Sequence, residues 1–270
     1  KGTAKLMQGK RLTSVYMGGG TPTTLSPEQL RTVIKTMQEY FPMDTSVEFT
    51  VEAGRPDSIT EEKLAVIRKY PVTRISINPQ TMQQKTLDLV GRNHTVAQTK
   101  DAFYLARKLG FDNINMDLIA GLPGEDASDM EDTLRQVEEM HPDSLTVHAL
   151  AIKRAARYGQ EGRKQDLHSE ISQMIMSAAD CAKRIGLQPY YLYRQKNIAG
   201  NFENVGYAEL DKAGIYNILI MEEKQTILAA GAGASTKFVF EHGTRIERVE
   251  NVKDVNNYIL RIDEMLERKR

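Results

Sequence analysis

Short apolar segments alternate with longer amphipathic segments through the first 150 residues of the chain. The apolar segments are rich in β-branched residues and predict strands at residues 12–17, 46–52, 74–78, 113–119 and 144–150. Between them, apolar positions recur at helical spacing and predict helices at residues 26–40, 60–69, 83–90, 96–109 and 127–140. Strands that alternate with helices through short links predict an α/β fold with a parallel sheet and right-handed crossovers.

The pattern changes after residue 151. A long helix is predicted at residues 167–185, and a terminal helix at 252–268. Between them lie segments of strand character at residues 189–193, 216–221, 226–230, 238–240 and 245–250. We therefore predict two domains, an α/β barrel domain at residues 1–155 and an α+β domain at residues 156–270 that serves as a lid.

Composition excludes several classes of protein. Lys and Arg together number 36, as do Asp and Glu, so the net charge is zero and nothing favours a nucleic-acid or membrane-surface partner. No apolar run approaches the roughly 20 residues of a membrane span. The one cysteine excludes an internal disulfide and fits a reducing compartment, so we expect a cytoplasmic protein.

Glycines and polar residues stand at the carboxyl ends of the predicted strands, where α/β barrels carry their chemistry. They are Gly18, Gly19, Gly20, Thr21, Glu52, Gln80, Asp117 and, with an apolar side chain, Ala151. The glycine stretch matches neither phosphate-loop fingerprint. Taken singly, each has an ordinary interpretation: the glycines as a tight turn, the carboxylates as helix caps or ion-pair partners.

Five motifs in register give these residues a shared interpretation. They are Gly-Gly-Gly-Thr-Pro-Thr (18–23), Thr-Val-Glu-Ala (50–53), Pro-Gln-Thr-Met (79–82), Gly-Arg-Asn-His-Thr (91–95) and Asn-Met-Asp-Leu-Ile-Ala-Gly-Leu-Pro-Gly (115–124). Together they resemble the radical S-adenosylmethionine (SAM) enzymes of the oxygen-independent coproporphyrinogen III oxidase group. The resemblance implies an incomplete TIM-like (β/α)6 barrel with a C-terminal α+β lid.

Further segments resemble the coproporphyrinogen dehydrogenase branch of that group and extend the resemblance over nearly the whole chain. They are Glu-Ala-Gly-Arg-Pro (52–56), Ser-Ile-Asn-Pro-Gln (76–80), Tyr-Tyr-Leu-Tyr-Arg-Gln-Lys-Asn (190–197), Asn-Phe-Glu-Asn-Val-Gly-Tyr (201–207) and Arg-Ile-Glu-Arg (245–248). The implied reaction is the oxidative decarboxylation of two propionates of coproporphyrinogen III to vinyl groups, which gives protoporphyrinogen IX. In this group, SAM yields a 5′-deoxyadenosyl radical that removes hydrogen from the propionate β-carbon.

The chain departs from the family at the iron–sulfur motif. The family holds a [4Fe–4S] cluster on Cys-x3-Cys-x2-Cys after the first strand, whereas Cys181 is the single cysteine here and is interpreted as buried filler. We expect the chain to start after that motif, and expect this chain alone to be inactive.

The resemblance also implies roles for particular residues. Gly19, Gly20 and Thr21 line the methionine end of SAM, and Gly18 is a further cofactor-binding residue. Glu52 and Arg92 supply opposite charges near the amino-acid group of SAM. Gln80 and Asp117 meet its methionine–ribose portion, and Ile119 and Ala151 pack around the adenosine. His94 is interpreted as structural.

A basic rim for the substrate carboxylates is a separate hypothesis, without a motif behind it. Its candidates are Lys153, Arg154, Arg157, Arg194 and Lys196. An electron-donor protein is a further expected partner. Two alternatives to the enzyme stay open: a haem-binding chaperone on the same scaffold, and a degenerate module without a cluster.

Overall fold

The computed structural model describes residues 2–7, 9–43, 46–150, 164–193 and 203–269. The strands in this part of the chain are β1 (Ser14–Met17), β2 (Glu48–Glu52), β3 (Arg74–Ser76), β4 (Ile114–Ala120), β5 (Ser144–Ala149), β6 (Gln188–Tyr193), β7 (Asn204–Ala208), β8 (Ser235–Phe240) and β9 (Arg245–Glu250). The helices are α1 (Gly2–Lys5), α2 (Pro27–Tyr40), α3 (Glu61–Arg68), α4 (Gln84–Leu89), α5 (Val96–Lys108), α6 (Ala127–Met140), α7 (Lys164–Arg184), α8 (Ile215–Met221), α9 (Val255–Leu260) and α10 (Ile262–Glu267).

Seven strands form one sheet in the order β1-β2-β3-β4-β5-β7-β6. Strands β2, β3, β4 and β5 pair in parallel, as predicted from their alternation with helices. Strands β7 and β6 then extend the sheet in antiparallel pairs. Strands β8 and β9 form a separate antiparallel pair.

The two faces of the central strands have different chemistry. On one face the side chains are apolar and buried, among them Ile75, Met116 and Leu145. On the other face the side chains are polar. Ser76 of β3 pairs with Asn115 of β4, and Asp117 lies two residues further along β4, on the same face, because neighbouring residues of a strand point to opposite sides. Most of these polar residues are buried, so their hydrogen bonds must be made within the protein.

Helix starts predicted from capping residues are confirmed. The backbone N–H of Gln29 donates to the hydroxyl of Ser26 at 3.2 Å, and that of Lys63 donates to the hydroxyl of Thr60. Each cap satisfies one of the four N–H groups that a helix leaves unpaired at its start. These signals are local, which is why the sequence suffices to find them.

The predicted strand at residues 216–221 is wrong, because these residues form helix α8, Ile215–Met221. The carboxylate of Glu48, at the start of β2, accepts hydrogen bonds from the N–H groups of Ile215 at 2.5 Å and Tyr216 at 3.2 Å. A negative charge at a helix N-terminus stabilises the helix. This cap comes from far along the chain, so the apolar run alone did not distinguish helix from strand.

Three other predictions need correction. Residues 226–230 form no strand; Ile227 makes a single bridge to Lys237. The predicted terminal helix is two helices, α9 and α10, which are separated at Arg261. Strand β7 was not predicted, since its sequence, Asn-Val-Gly-Tyr-Ala, contains a glycine and gives a weak strand signal.

The chain divides into two compact units, one made of residues 1–15, 32–48 and 215–270, the other of residues 16–31 and 49–214. The glycine turn, Glu52, Gln80, Arg92, Asp117 and Ile119 all belong to the second unit. The division into barrel and lid at residue 155 stays a prediction. No described helix is long and apolar enough to cross a membrane.

Candidate functional site

The glycine turn after β1 lies against the carboxylate of Glu52, at the end of β2. Gly19 has φ +98°, a conformation that favours glycine, and its N–H donates to Glu52 Oε2 at 3.2 Å. The Tyr16 hydroxyl donates to the same oxygen at 3.1 Å. A Cβ on Gly18 would overlap both the Glu52 carboxylate and the Tyr16 ring. The absence of a side chain at Gly18 is therefore what lets Glu52 approach the turn.

The rest of the turn is open. A Cβ added to Gly19 or Gly20 would meet nothing within 4 Å, and both residues are exposed. Thr21 ends the turn, where its carbonyl accepts from the N–H of Thr24 at 2.9 Å. Bare backbone beside a carboxylate offers a ligand both hydrogen-bonding groups and negative charge.

Two carboxylates act on each other in this region. Burial raises the pKa of Glu52, and the negative charge of Asp117 raises it further, while the hydrogen bonds from Gly19 and Tyr16 lower it. A cationic ligand would relieve the repulsion. The positively charged ammonium and sulfonium groups of SAM fit a site with two carboxylates.

The pKa of Tyr16 is also raised, first by burial and then by the charges of Glu52 and Asp117, while Arg74 lowers it. Tyr16 is thus a neutral hydrogen-bond donor at physiological pH. Arg74, which is buried, donates to the hydroxyl of Ser144 at 3.0 Å. It supplies positive charge on the polar side of the sheet.

Gln80 and Asp117 are brought together through their backbones. The N–H of Gln80 donates to the carbonyl of Asp117 at 2.9 Å, and the N–H of Ile119 donates to the carbonyl of Gln80 at 2.9 Å. Gln80 has φ +70°, a strained conformation for a residue with a side chain, and such strain concentrates at functional sites. These two hydrogen bonds place the backbone of Gln80 directly beside the segment of β4 from Asp117 to Ile119.

Arg92 lies beside a different group. Its positive charge lowers the pKa of His94, after the larger effect of burial, and it does not contribute to the pKa shift of Glu52. The buried His94 ring lies 3.2 Å from the carbonyl of Pro79, next to Gln80. The pairing of Arg92 with the carboxylate of SAM stays a prediction.

Several predicted residues lie outside the described part of the chain. They are Ala151, Lys153, Arg154, Arg157, Arg194 and Lys196.

Sequence analysis missed the polar residues inside the strands. Asn115 Nδ2 donates to Asp117 Oδ1 at 2.7 Å and to Ser76 Oγ at 2.9 Å, and Thr146 Oγ1 donates to Asn115 Oδ1 at 3.2 Å. Their signal was the alternation of polar and apolar residues in β4, Ile-Asn-Met-Asp-Leu. That pattern places Asn115 on the same face as Asp117.

The residues present do not fit an iron–sulfur cluster. Cys181 has no exposed surface, its Sγ lies 3.6 Å from the carbonyl of Leu134, and burial raises its thiol pKa to about 11. Such a thiol stays protonated, whereas cluster ligands are thiolates. Within the described residues, no group of three or more His, Cys, Asp or Glu side chains is arranged to hold a metal.

Comparison with known proteins gives consistent matches. The model of the radical SAM superfamily matches residues 2–137. The oxygen-independent coproporphyrinogen-III oxidase-like protein HemZ of Bacillus subtilis is 46% identical over 262 residues, which are 96% of this chain and 52% of that protein. The heme chaperone HemW of the same organism is 32% identical over 174 residues, 62% of this chain and 46% of that protein. The chain thus spans about half the length of these curated relatives.

A solved structure has the same fold. The coproporphyrinogen III oxidase HemN of Escherichia coli aligns with a TM-score of 0.71 and 22% identity, over 97% of this chain and 59% of that chain. These matches confirm two predictions: the family resemblance, which was based on the five motifs, and the α/β fold class.

Proposed function

Because the chain belongs to the radical SAM superfamily, whose members use SAM and a [4Fe–4S] cluster, we propose that it is the SAM-binding part of a coproporphyrinogen III dehydrogenase. The proposed reaction converts two propionates to vinyl groups, each with loss of CO2, one hydrogen atom and one electron. The 46% identity to HemZ across 96% of this chain is the observation that carries the proposal. It concerns the full-length protein, since the chain spans about half of HemZ.

SAM, when bound, supplies the hydrogen abstraction from an unactivated carbon. Glu52 and Asp117 would hold its positively charged end, because their mutual repulsion favours a cation between them. The open backbone at Gly19 and Gly20 would lie along the methionine portion. Gln80, fixed beside Asp117 by its backbone, would meet the ribose, with Ile119 against the adenosine.

The substrate is a tetracarboxylate, so basic residues are its expected partners. We keep Lys153, Arg154, Arg157 and Arg194 as that hypothesis. An electron donor and a one-electron acceptor are further proposed partners. The low cysteine count and the oxygen sensitivity of iron–sulfur chemistry support a cytoplasmic location.

A haem chaperone is the second candidate, since HemW proteins match the chain as well. Their match is weaker: 32% identity over 62% of this chain in one case and 26% over 94% in another. Barrel residues do not separate the two functions, because both classes share the SAM motifs.

The experiment uses the full-length protein, reconstituted with iron and sulfide under anaerobic conditions and supplied with SAM, a reductant and coproporphyrinogen III. The enzyme predicts vinyl products by mass spectrometry. Tight haem binding without decarboxylation would overturn the proposal in favour of the chaperone.

A variant pair tests the site itself. We expect Glu52→Gln to weaken SAM binding by about 10- to 100-fold, the effect of removing a charged partner. Glu62→Gln is the matched control, because Glu62 is exposed on α3. Equal SAM affinity in both variants would remove Glu52 from the site.

A further inference from the structure

Glu125 is a buried carboxylate to which the proposed function gives no role. It follows the loop after β4 and is 7% exposed. A buried carboxylate needs hydrogen-bond donors, because burial removes the water that would otherwise solvate it. The donor here is the hydroxyl of Thr81, which lies 2.5 Å from Glu125 Oε1. Thr81 directly follows Gln80, so Glu125 holds the backbone at the edge of the candidate site.

The hydrogen bonds around Thr81 have a definite direction. Thr81 has one hydroxyl proton, which it donates to Glu125 Oε1. Burial raises the pKa of Glu125 and this bond lowers it, as a hydrogen bond to the charged form does. The Thr133 hydroxyl, 3.3 Å from that of Thr81, must then donate to Thr81. Thr133 in turn accepts from the N–H of Met82 at 3.2 Å, and Thr81 accepts from the N–H of Gln83 at 3.1 Å.

Gln80 lies between two sets of contacts. Its own N–H and carbonyl bond to the backbone of β4, at Asp117 and Ile119. The backbone that follows it is held by the hydroxyls of Thr81 and Thr133. Gln80 has φ +70°, and such a conformation persists in a residue with a side chain only where the surroundings fix it. The contacts on both sides of Gln80 supply that constraint.

Burial makes the contacts of Thr81 a strong constraint. Thr81 and Thr133 are each 1% exposed, so a lost partner would leave a buried polar atom unsatisfied. The two lone pairs and the proton of the Thr81 hydroxyl are all used. Through Glu125, the loop that follows β4 thus fixes the turn that follows β3.

We propose that Glu125, Thr81 and Thr133 are positioning residues that hold Gln80 in its left-handed conformation, with its side chain toward the ribose of SAM. This inference rests on the proposed function, because it takes SAM as the ligand of Gln80. The three residues act through Gln80 and do not themselves bind the ligand. Thr81 requires an acceptor oxygen at position 125 and not a negative charge.

The test measures SAM binding to the full-length reconstituted protein by anaerobic equilibrium dialysis. Thr81→Val removes the hydroxyl at nearly constant shape, and we expect SAM affinity to fall roughly three- to tenfold. Thr81→Ser should restore binding, since serine keeps the hydroxyl. Thr99→Val is the matched control, because Thr99 is a buried threonine of α5 whose hydroxyl donates to the Thr95 carbonyl of its own helix. Its affinity should equal that of the wild type.

A second pair of variants tests the acceptor. Glu125→Leu should reproduce the loss of affinity, because it leaves the Thr81 hydroxyl without its acceptor. Glu125→Gln keeps an acceptor oxygen and should bind SAM within about twofold of the wild type.

Coupling to Gln80 distinguishes positioning from general stability. Gln80→Gly removes both the side chain and the strain, since glycine adopts positive φ freely. In that background Thr81→Val should change SAM affinity less than about twofold, because the group that Thr81 positions is gone. Hydrogen exchange of the ligand-free protein, followed by mass spectrometry, gives a readout without SAM. The N–H of Gln83 should exchange faster in Thr81→Val than in Thr99→Val, because it loses its acceptor.

Each outcome has a distinct meaning. Wild-type protein that does not bind SAM overturns the proposed function and this inference with it. Wild-type binding with unchanged affinity in Thr81→Val and Glu125→Leu overturns this inference alone. An equal effect of Thr81→Val with and without Gln80, or equal losses in Glu125→Leu and Glu125→Gln, overturns it too. If Thr81→Val does not fold, the two Glu125 variants decide in the same way.

Discussion

Gly18→Ala perturbs the contact between the glycine turn and Glu52. The new Cβ would overlap the Glu52 carboxylate and the Tyr16 ring, and its third neighbour, Tyr16 Cζ, would lie at 3.1 Å. Both side chains would have to move, and that movement breaks or lengthens the hydrogen bonds of 3.1 Å from Tyr16 and 3.2 Å from Gly19 to the carboxylate. We therefore expect a loss of stability.

The magnitude follows from three effects. Overpacking costs about 1–3 kcal/mol. A weakened hydrogen bond to a carboxylate costs about 1.5 kcal/mol or more. Alanine offsets roughly 0.4–1 kcal/mol by restricting the unfolded chain. The free energy of unfolding should accordingly fall by about 2–3 kcal/mol.

Gly20→Ala is the control two residues away. A Cβ there meets nothing within 4 Å, and Gly20 is not among the residues with positive φ. Its free energy of unfolding should stay within about 1 kcal/mol of the wild type. The assay is urea denaturation of ligand-free full-length protein, followed by circular dichroism. Equal stability of the two variants would refute the placement of Glu52 against the turn.

Two further predictions concern titratable groups. Cys181 is buried, and burial raises its thiol pKa to about 11. A thiol reagent at pH 8 should therefore leave Cys181 unmodified in the native protein and modify it in the protein unfolded by guanidinium. Modification of the native protein as fast as that of the unfolded protein would contradict the burial of Cys181. Glu52 has a raised pKa, so its contribution to stability is present below its unfolded value of 4.5 and is lost as the pH rises through the folded value. Glu52→Gln should therefore gain stability relative to the wild type in urea denaturation as the pH rises above 4.5, and a difference that does not change with pH would contradict the shift.

The sequence predicts the parallel strands and the caps well because their signals are local. Thr60 and Ser26 satisfy N–H groups within three residues of themselves, and β4 carries its own alternation. Helix α8 was mistaken for a strand because Glu48, its capping group, is a neighbour only in the folded chain. Long-range contacts of this kind produce no periodic pattern in the amino-acid sequence.

The candidate site was predictable where residues belong to motifs. Glu52 ends β2, as predicted, whereas the prediction that Asp117 ends its strand is wrong, because Asp117 lies in the middle of β4. The alignment of Thr146 and Tyr191 on either side of Gly206 was out of reach, since it depends on β7 pairing between β5 and β6. The Tyr-Tyr-Leu-Tyr segment resembles a family feature, but its sequence does not predict which strand it pairs with or which face of the sheet its side chains lie on.

Neutral hydrogen-bond donors hold both carboxylates of the site. Gly18 gives room to Tyr16, whose hydroxyl donates directly to Glu52. At Asp117, Thr146 Oγ1 donates to Asn115 Oδ1 at 3.2 Å, and Asn115 Nδ2 donates to Asp117 Oδ1 at 2.7 Å. In both cases a neutral group, the Tyr16 hydroxyl or the Asn115 amide, supplies the hydrogen bond that a charged partner would otherwise supply. A neutral donor orients a carboxylate without cancelling its charge, so the pair stays available to a cationic ligand.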